Sequence, residues 1–126
     1  MVVLDAGFYL ALAKNERFAG EMLLRAQERK SLVVAASTIA EFWRKHRGLG
    51  ESRFGLLRAN VIHVDAALAK RAGELLSLTR GGDAMDAIVV ALAERLRAVE
   101  IYTSDPNDIE KLVRGSSHAR CAIVAV

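Results

Sequence analysis

The feature that most restricts this chain is an alternation of short, β-branched apolar runs with longer segments of helical spacing. Four runs read as strands, Val2–Leu4, Leu32–Ala35, Val61–Val64 and Val99–Tyr102, and a fifth, Ala122–Val126, closes the chain. Their apolar residues are nearly continuous, which predicts strands covered on both faces. Between them, Phe18, Met22 and Ala26 recur every four residues from Arg17 to Arg29, and Leu68, Ala72, Leu75 and Leu76 do the same from Ala66 to Leu78. Ala84–Leu96 is apolar almost all round, so it should be a deeply packed central helix. Strands alternating with helices imply an α/β fold with a mostly parallel sheet and helices on both sides. Right-handed crossovers leave only a few doubly wound topologies. In such folds ligands collect beyond the carboxyl ends of the strands, near the point where strand order reverses.

With 126 residues and no repeat, linker or low-complexity stretch, a single domain spanning 1–126 is expected. Hydrophobic types at 52% and charged types at 26% exclude a disordered chain. The lone Cys121 cannot form an internal disulfide, which argues against a stapled secreted scaffold and for a reducing cytoplasm, with Cys121 an inert buried thiol. No apolar run approaches the roughly 18–20 residues of a membrane span, and Asp5 arrives before any basic residue, unlike a signal peptide. A soluble cytoplasmic protein with no membrane partner is expected. The net charge is +3, and 13 of the 18 basic residues are Arg, the better residue for forked contacts to phosphate. That balance is compatible with a polyanionic partner.

The chemistry follows from what sits just after each strand. Only six Asp are present. Asp5 ends the first strand, Glu41 lies in the first turns of the helix after the second, Asp86 is near the start of the central helix, and Asp105 ends the fourth strand. Singly, each has a plainer explanation. Asp105 before Pro106, with Asp108 at the third helical position, suits an N-cap, and Thr38 with Glu41 matches a capping box. Asp83 can cap the central helix, and Asp65 the helix after the third strand. Asp86 fits capping less well, because Val90 and Ala93 beside it are apolar, and a carboxylate directly after a buried strand, as at Asp5, needs a partner.

Together, a doubly wound sheet would gather Asp5, Glu41, Asp86 and Asp105 at one edge. Two unit charges ~4 Å apart repel by ~4 kcal/mol at an effective dielectric of 20. Such a cluster must take up protons or bind a cation. The ligands are hard oxygens, with no matching His or Cys set, so Mg2+ or Mn2+ is expected rather than zinc.

These pieces resemble a PIN-domain nuclease, most closely the VapC-type toxins of bacterial and archaeal toxin–antitoxin pairs. The matching segments are Val2-Val3-Leu4-Asp5, Ser37-Thr38-Ile39-Ala40-Glu41, Asp86-Ala87-Ile88-Val89-Val90-Ala91 and Tyr102-Thr103-Ser104-Asp105-Pro106-Asn107-Asp108, whose order and spacing fit from residue 2 to about 112. The resemblance implies a three-layer α/β/α fold around a five-stranded parallel sheet and a metal-dependent endoribonuclease. Asp5, Glu41, Asp86 and Asp105 match the family's acidic quartet, Asp108 an extra acid of some members, and Thr103 a hydroxyl residue near the fourth acid. Asp83 does not match and stays an N-cap. At Ala6 and Gly7, where members often carry Ser or Thr, the chain departs, so support for Asp5 is expected from backbone groups. The resemblance further implies a homodimer whose acidic cleft is blocked by the basic tail of a cognate antitoxin.

The chemistry suggests that carboxylates hold one or two ions, which lower the pKa of a bound water and neutralise charge on a phosphodiester. Asp5 and Asp105 are the first candidates for direct ligands, with Asp86 ligating directly or through water and Glu41 ligating or orienting the attacking water. The stretch Arg44-Lys45-His46-Arg47, with Arg53 and Arg58 and the aromatics Phe42, Trp43 and Phe54, reads either as a surface contacting RNA or antitoxin, or as a solvated helix face with its aromatics turned inward. His46, His63 and His118 share no spacing that would make a site. Phosphoacceptor and phosphatase domains fit poorly: the final strand has no Lys, and Gly7 stands where a second acid would be needed. The alternatives are a non-catalytic RNA- or protein-binding module with a PIN-like fold, and an RNA-processing PIN nuclease outside any toxin–antitoxin system.

Overall fold

A computed structural model of the chain describes residues 1–14, 17–28, 31–45, 59–118 and 120–126. Along the chain lie β1 (Val2–Leu4), α1 (Ala6–Ala13), α2 (Arg17–Glu28), β2 (Leu32–Ala35), helical residues 36–45 (α3), β3 (Asn60–Ile62), α4 (Ala66–Thr79), α5 (Ala84–Leu96), β4 (Glu100–Thr103), α6 (Pro106–Gly115) and β5 (Ala122–Ala125). The five strands form one sheet in the order β3-β2-β1-β4-β5, every pair parallel. The fold is the α/β/α sandwich with a five-stranded parallel sheet that the alternation and the resemblance implied.

The near-continuous apolar runs are explained by the pleat, which sends successive side chains to opposite faces. Val3, Val33, Ala35 and Ile101 join a largely aliphatic core built with α4, α5 and α6. Val2, Leu4, Leu32, Val34 and Tyr102 join the other core, with Phe8, Tyr9 and Leu12 of α1 and Phe42 of α3. That second layer is aromatic: Tyr9 stacks on Phe42 with centroids 4.6 Å apart, and Phe8 meets Tyr102 edge-on at 5.6 Å.

Two sequence expectations need correcting, and one helix carries no periodic signal. Burial on both faces holds for β1, β2 and β4 but not for the edge strands; Val61 on β3 is 39% exposed, and β5 is only partly buried. β3 begins one residue earlier and ends two sooner than the run Val61–Val64, and Val99 precedes β4. Nothing in the spacing announced α1, because Ala6–Ala13 is apolar on every side; it is a helix because both its surfaces are covered. The side chains of Phe18, Met22 and Ala26, and the residues His46, Arg47, Arg53, Phe54 and Arg58, lie outside the described residues. Among the described residues no helix is long and apolar enough to cross a membrane.

Candidate active site

The strand order reverses between β1 and β4, which run side by side while their successors go to opposite flanks. The crevice beyond their carboxyl ends is where such a sheet accepts a ligand. Asp5 follows β1 directly and Asp105 stands two residues after β4. Thr103, fully buried, ties the two loops: its hydroxyl donates to Asp5 Oδ2 (2.7 Å) and accepts from the Asp105 N–H (3.0 Å). Asp5 Oδ1 accepts from the Ala6 N–H (2.8 Å), so Asp5 also caps α1. Backbone support for Asp5 is therefore present, joined by a hydroxyl from across the sheet. Gly7, in the first turn of α1, lies so close to Ser104 that an added Cβ would overlap that side chain.

Asp86 stands at the third position of α5. The Asp83 side chain accepts from the Asp86 N–H (2.9 Å), while Asp86 Oδ2 takes a long bond from the Asp83 N–H (3.4 Å), a reciprocal capping box. At Asp86, capping thus coincides with a place among the gathered acids. Asp105 is the reverse case: it occupies the N-cap of α6 before Pro106, yet its side chain makes no capping bond. Its carboxylate instead approaches Asp108 and Asp86, and one oxygen from each of the three lies within 4.8 Å of the others. Thr38 and Glu41 do not form the expected capping box, because α3 already starts at residue 36 and leaves Thr38 buried inside it.

The charges press on one another. Burial and then Asp83, Asp5 and Asp105 push the Asp86 carboxyl up to about 7. Asp5 is raised by burial, against the lowering from the Thr103 and Ala6 hydrogen bonds, with Asp83 and Asp105 adding to the rise. Asp105 is raised by burial and by Asp108. Glu41, half-buried on α3, is raised by burial, Asp5 and Asp83, with Lys45 and Arg44 opposing. Asp83 appears in all four environments. Read from sequence as a cap alone, it is a cap and a source of the site's field, and its spacing three residues before Asp86 was the available signal.

Asp86, Asp105 and Asp108 thus form the tightest group. Asp5 adjoins it with both oxygens already engaged, and Glu41 stands at the rim. Among the described residues no Lys or Arg forms a salt bridge with any of the three grouped acids. An all-oxygen set of carboxylates without a protein countercharge fits a hard divalent cation. The remaining candidates behave simply: Asp65 caps α4 through the Leu68 N–H (2.8 Å), and burial pushes the Cys121 thiol up to about 11, as for an inert thiol.

A family model for the PIN domain matches residues 2–114. The chain belongs to the PIN domain family. No curated protein matches the sequence. The fold of this PIN domain is similar to that of a chain in a toxin–antitoxin complex from Klebsiella pneumoniae, with TM-score 0.68 and 22% identity over 86% of this chain and 89% of the other. It is also similar to Mycobacterium tuberculosis VapC20, a toxin that cleaves the sarcin–ricin loop, with TM-score 0.69 and 20% identity over 94% of this chain and 98% of the other.

Proposed function

We propose that this PIN domain, spanning residues 1–126 as a single unit, is a divalent-metal-dependent endoribonuclease and the toxin of a toxin–antitoxin pair. The observation that carries the reading is the gathering of Asp86, Asp105 and Asp108 oxygens within 4.8 Å of one another with no protein countercharge among the described residues. Those three carboxylates would hold Mg2+ or Mn2+, with Asp5 completing the site. When bound, the ion supplies a more acidic coordinated water and neutralises charge building on the phosphate.

The chain's own groups do the rest. Thr103 and the Ala6 N–H hold the Asp5 carboxylate in one orientation. The Thr103 bond to the Asp105 amide fixes the spacing between the two loops. Glu41, raised by burial and its acidic neighbours, is suited to take the proton of the attacking water. The likeness to a chain from a toxin–antitoxin complex supports an antitoxin partner, the family resemblance implies a homodimer, and the lone Cys121 suits a reducing cytoplasm.

The test is cleavage of RNA with Mg2+, with chelator, and by the Asp5→Asn and Asp105→Asn variants. Cutting that needs the metal and collapses in both variants, while circular dichroism shows them folded, is the expected result. Undiminished cutting by either folded variant, or in chelator, defeats the proposal.

A further inference from the structure

One cavity opens beside the acidic edge, and of its lining residues only Glu41 has a part in the chemistry above. The cavity has a volume of about 390 Å3 and is lined by Ala40, Glu41 and Arg44 of α3 and by Asp83 and Met85 at the start of α5. Glu41 and Asp83 belong to the field around Asp5, so the cavity opens beside the place where the phosphodiester would be cut. Its size falls within the range of small-ligand sites.

The wall residues divide by chemistry. Arg44 follows Glu41 by three residues, which puts both on one face of the helix. The Arg44 charge is felt at Glu41, whose rise it opposes, yet among the described residues Arg44 closes no salt bridge. A guanidinium held near carboxylates without pairing to them keeps its fork free for an incoming anion, and forked geometry matches phosphate. Ala40 and Met85 supply an apolar wall, and a thioether adapts to a flat ring. An acidic site also repels a polyanionic substrate, so a cation one step from the acids offsets the cost of bringing RNA in.

We propose that this cavity seats the nucleotide next to the cleaved bond, with Arg44 gripping that nucleotide's outer phosphate and Met85 lying against its base. The proposal rests on the nuclease reading and gives it a binding register: the chain is held one nucleotide away, and the scissile phosphate is thereby set over the acids. Arg44 is a substrate-binding residue in this scheme, and Met85 the residue that makes cutting depend on the neighbouring base.

Two measurements test it. In the first, KM and kcat are followed for wild type, Arg44→Ala, Arg44→Lys and Met85→Ala on a single-stranded oligoribonucleotide over about 50 to about 200 mM salt. Arg44→Ala should lose activity chiefly through a KM about tenfold higher, and should flatten the plot of log affinity against log salt by about 0.7, the contribution of one single-strand phosphate contact. Arg44→Lys should restore the slope but only part of the KM. Met85→Ala should change the relative rates at sites that differ only in the adjoining base, with the slope intact. In the second, fluorescence anisotropy reads the affinity of the Asp105→Asn protein for the same labelled oligonucleotide, with and without Arg44→Ala. Wild-type cutting with KM and slope unmoved by Arg44→Ala overturns the subsite and leaves the nuclease reading standing. Anisotropy that shows the slope change, in a protein whose wild type does not cut, keeps the subsite and defeats the nuclease reading. No RNA binding by either protein overturns both.

Discussion

The two ends of α5 carry carboxylates with opposite fates. A helix macrodipole favours negative charge at its N-terminus and disfavours it at its C-terminus. Asp86, in the first turn, should therefore be the easier acid to ionise, and Glu94, about two turns further on, the harder. The reverse is found. Asp86 is pushed up to about 7, while Glu94 is held down to about 2. Glu94 receives Arg71 Nε (2.7 Å) and Nη2 (2.9 Å) on its two oxygens and the Ser117 N–H at 2.8 Å, a clasp joining α4, α5 and the turn after α6. Asp86 meets burial and other acids instead. Burial and crowding acids set the one end, and a hydrogen-bonded guanidinium sets the other.

The sharpest way to break the contrast is Asp86→Asn. Loss of one carboxylate from the grouped three should lower RNA cleavage by about 100-fold or more, the scale of losing one preorganised electrostatic group. The same change removes repulsion, so in chelator near about pH 8 the variant should melt higher by a few degrees, for a gain of about 1 kcal/mol after allowing for its partial exposure. Thermal melts beside a cleavage assay read both effects, and a variant that is both less active and less stable would show that Asp86 is structural.

Glu94→Gln is the mirror experiment. It leaves Arg71 with a weaker acceptor and should cost about 1–2 kcal/mol, seen as a lower melting midpoint, with cleavage intact well below that midpoint. Loss of cleavage at full folding would tie the clasp to the active site.

The smallest effect is the shape of the stability–pH curve in chelator. Asp86 has a raised folded pKa, so its contribution is fully present below its ordinary value of 3.8 and is lost as pH rises toward about 7. Glu94 has a depressed one, so its contribution is present above 4.5 and is lost as pH falls toward about 2. Stability should decline on both sides of a mildly acidic maximum. Asp86→Asn should flatten the upper limb and Glu94→Gln the lower, as denaturant midpoints across the range will show.

The fold was readable because the strands are short, β-branched and separated by distinct helical periods; β1, β2 and α5 fall where the spacing put them. What escaped has physical causes. An all-apolar segment such as Ala6–Ala13 has no period to detect, and the exposure of β3 and β5 depends on strand order, which no local pattern encodes. The acids were visible as residues after strands, but their division of labour was not. Asp5 spends both oxygens on Ala6 and Thr103, whereas Asp105 leaves its helix cap unused, and only coordinates separate those cases. Asp83 escaped because a satisfied cap looks finished, although its charge still acts on its neighbours.

The contact of Gly7 with Ser104 has its own consequence for how this surface can vary. Anything larger than hydrogen at position 7 wedges the start of α1 away from the loop that carries Asp105. A hydroxyl for Asp5 therefore cannot be grafted onto position 7 without prising the two loops apart, and the neighbouring strand supplies it through Thr103. In this chain the two positions form one steric unit, so a methyl at position 7 fits only if the Ser104 side chain gives way.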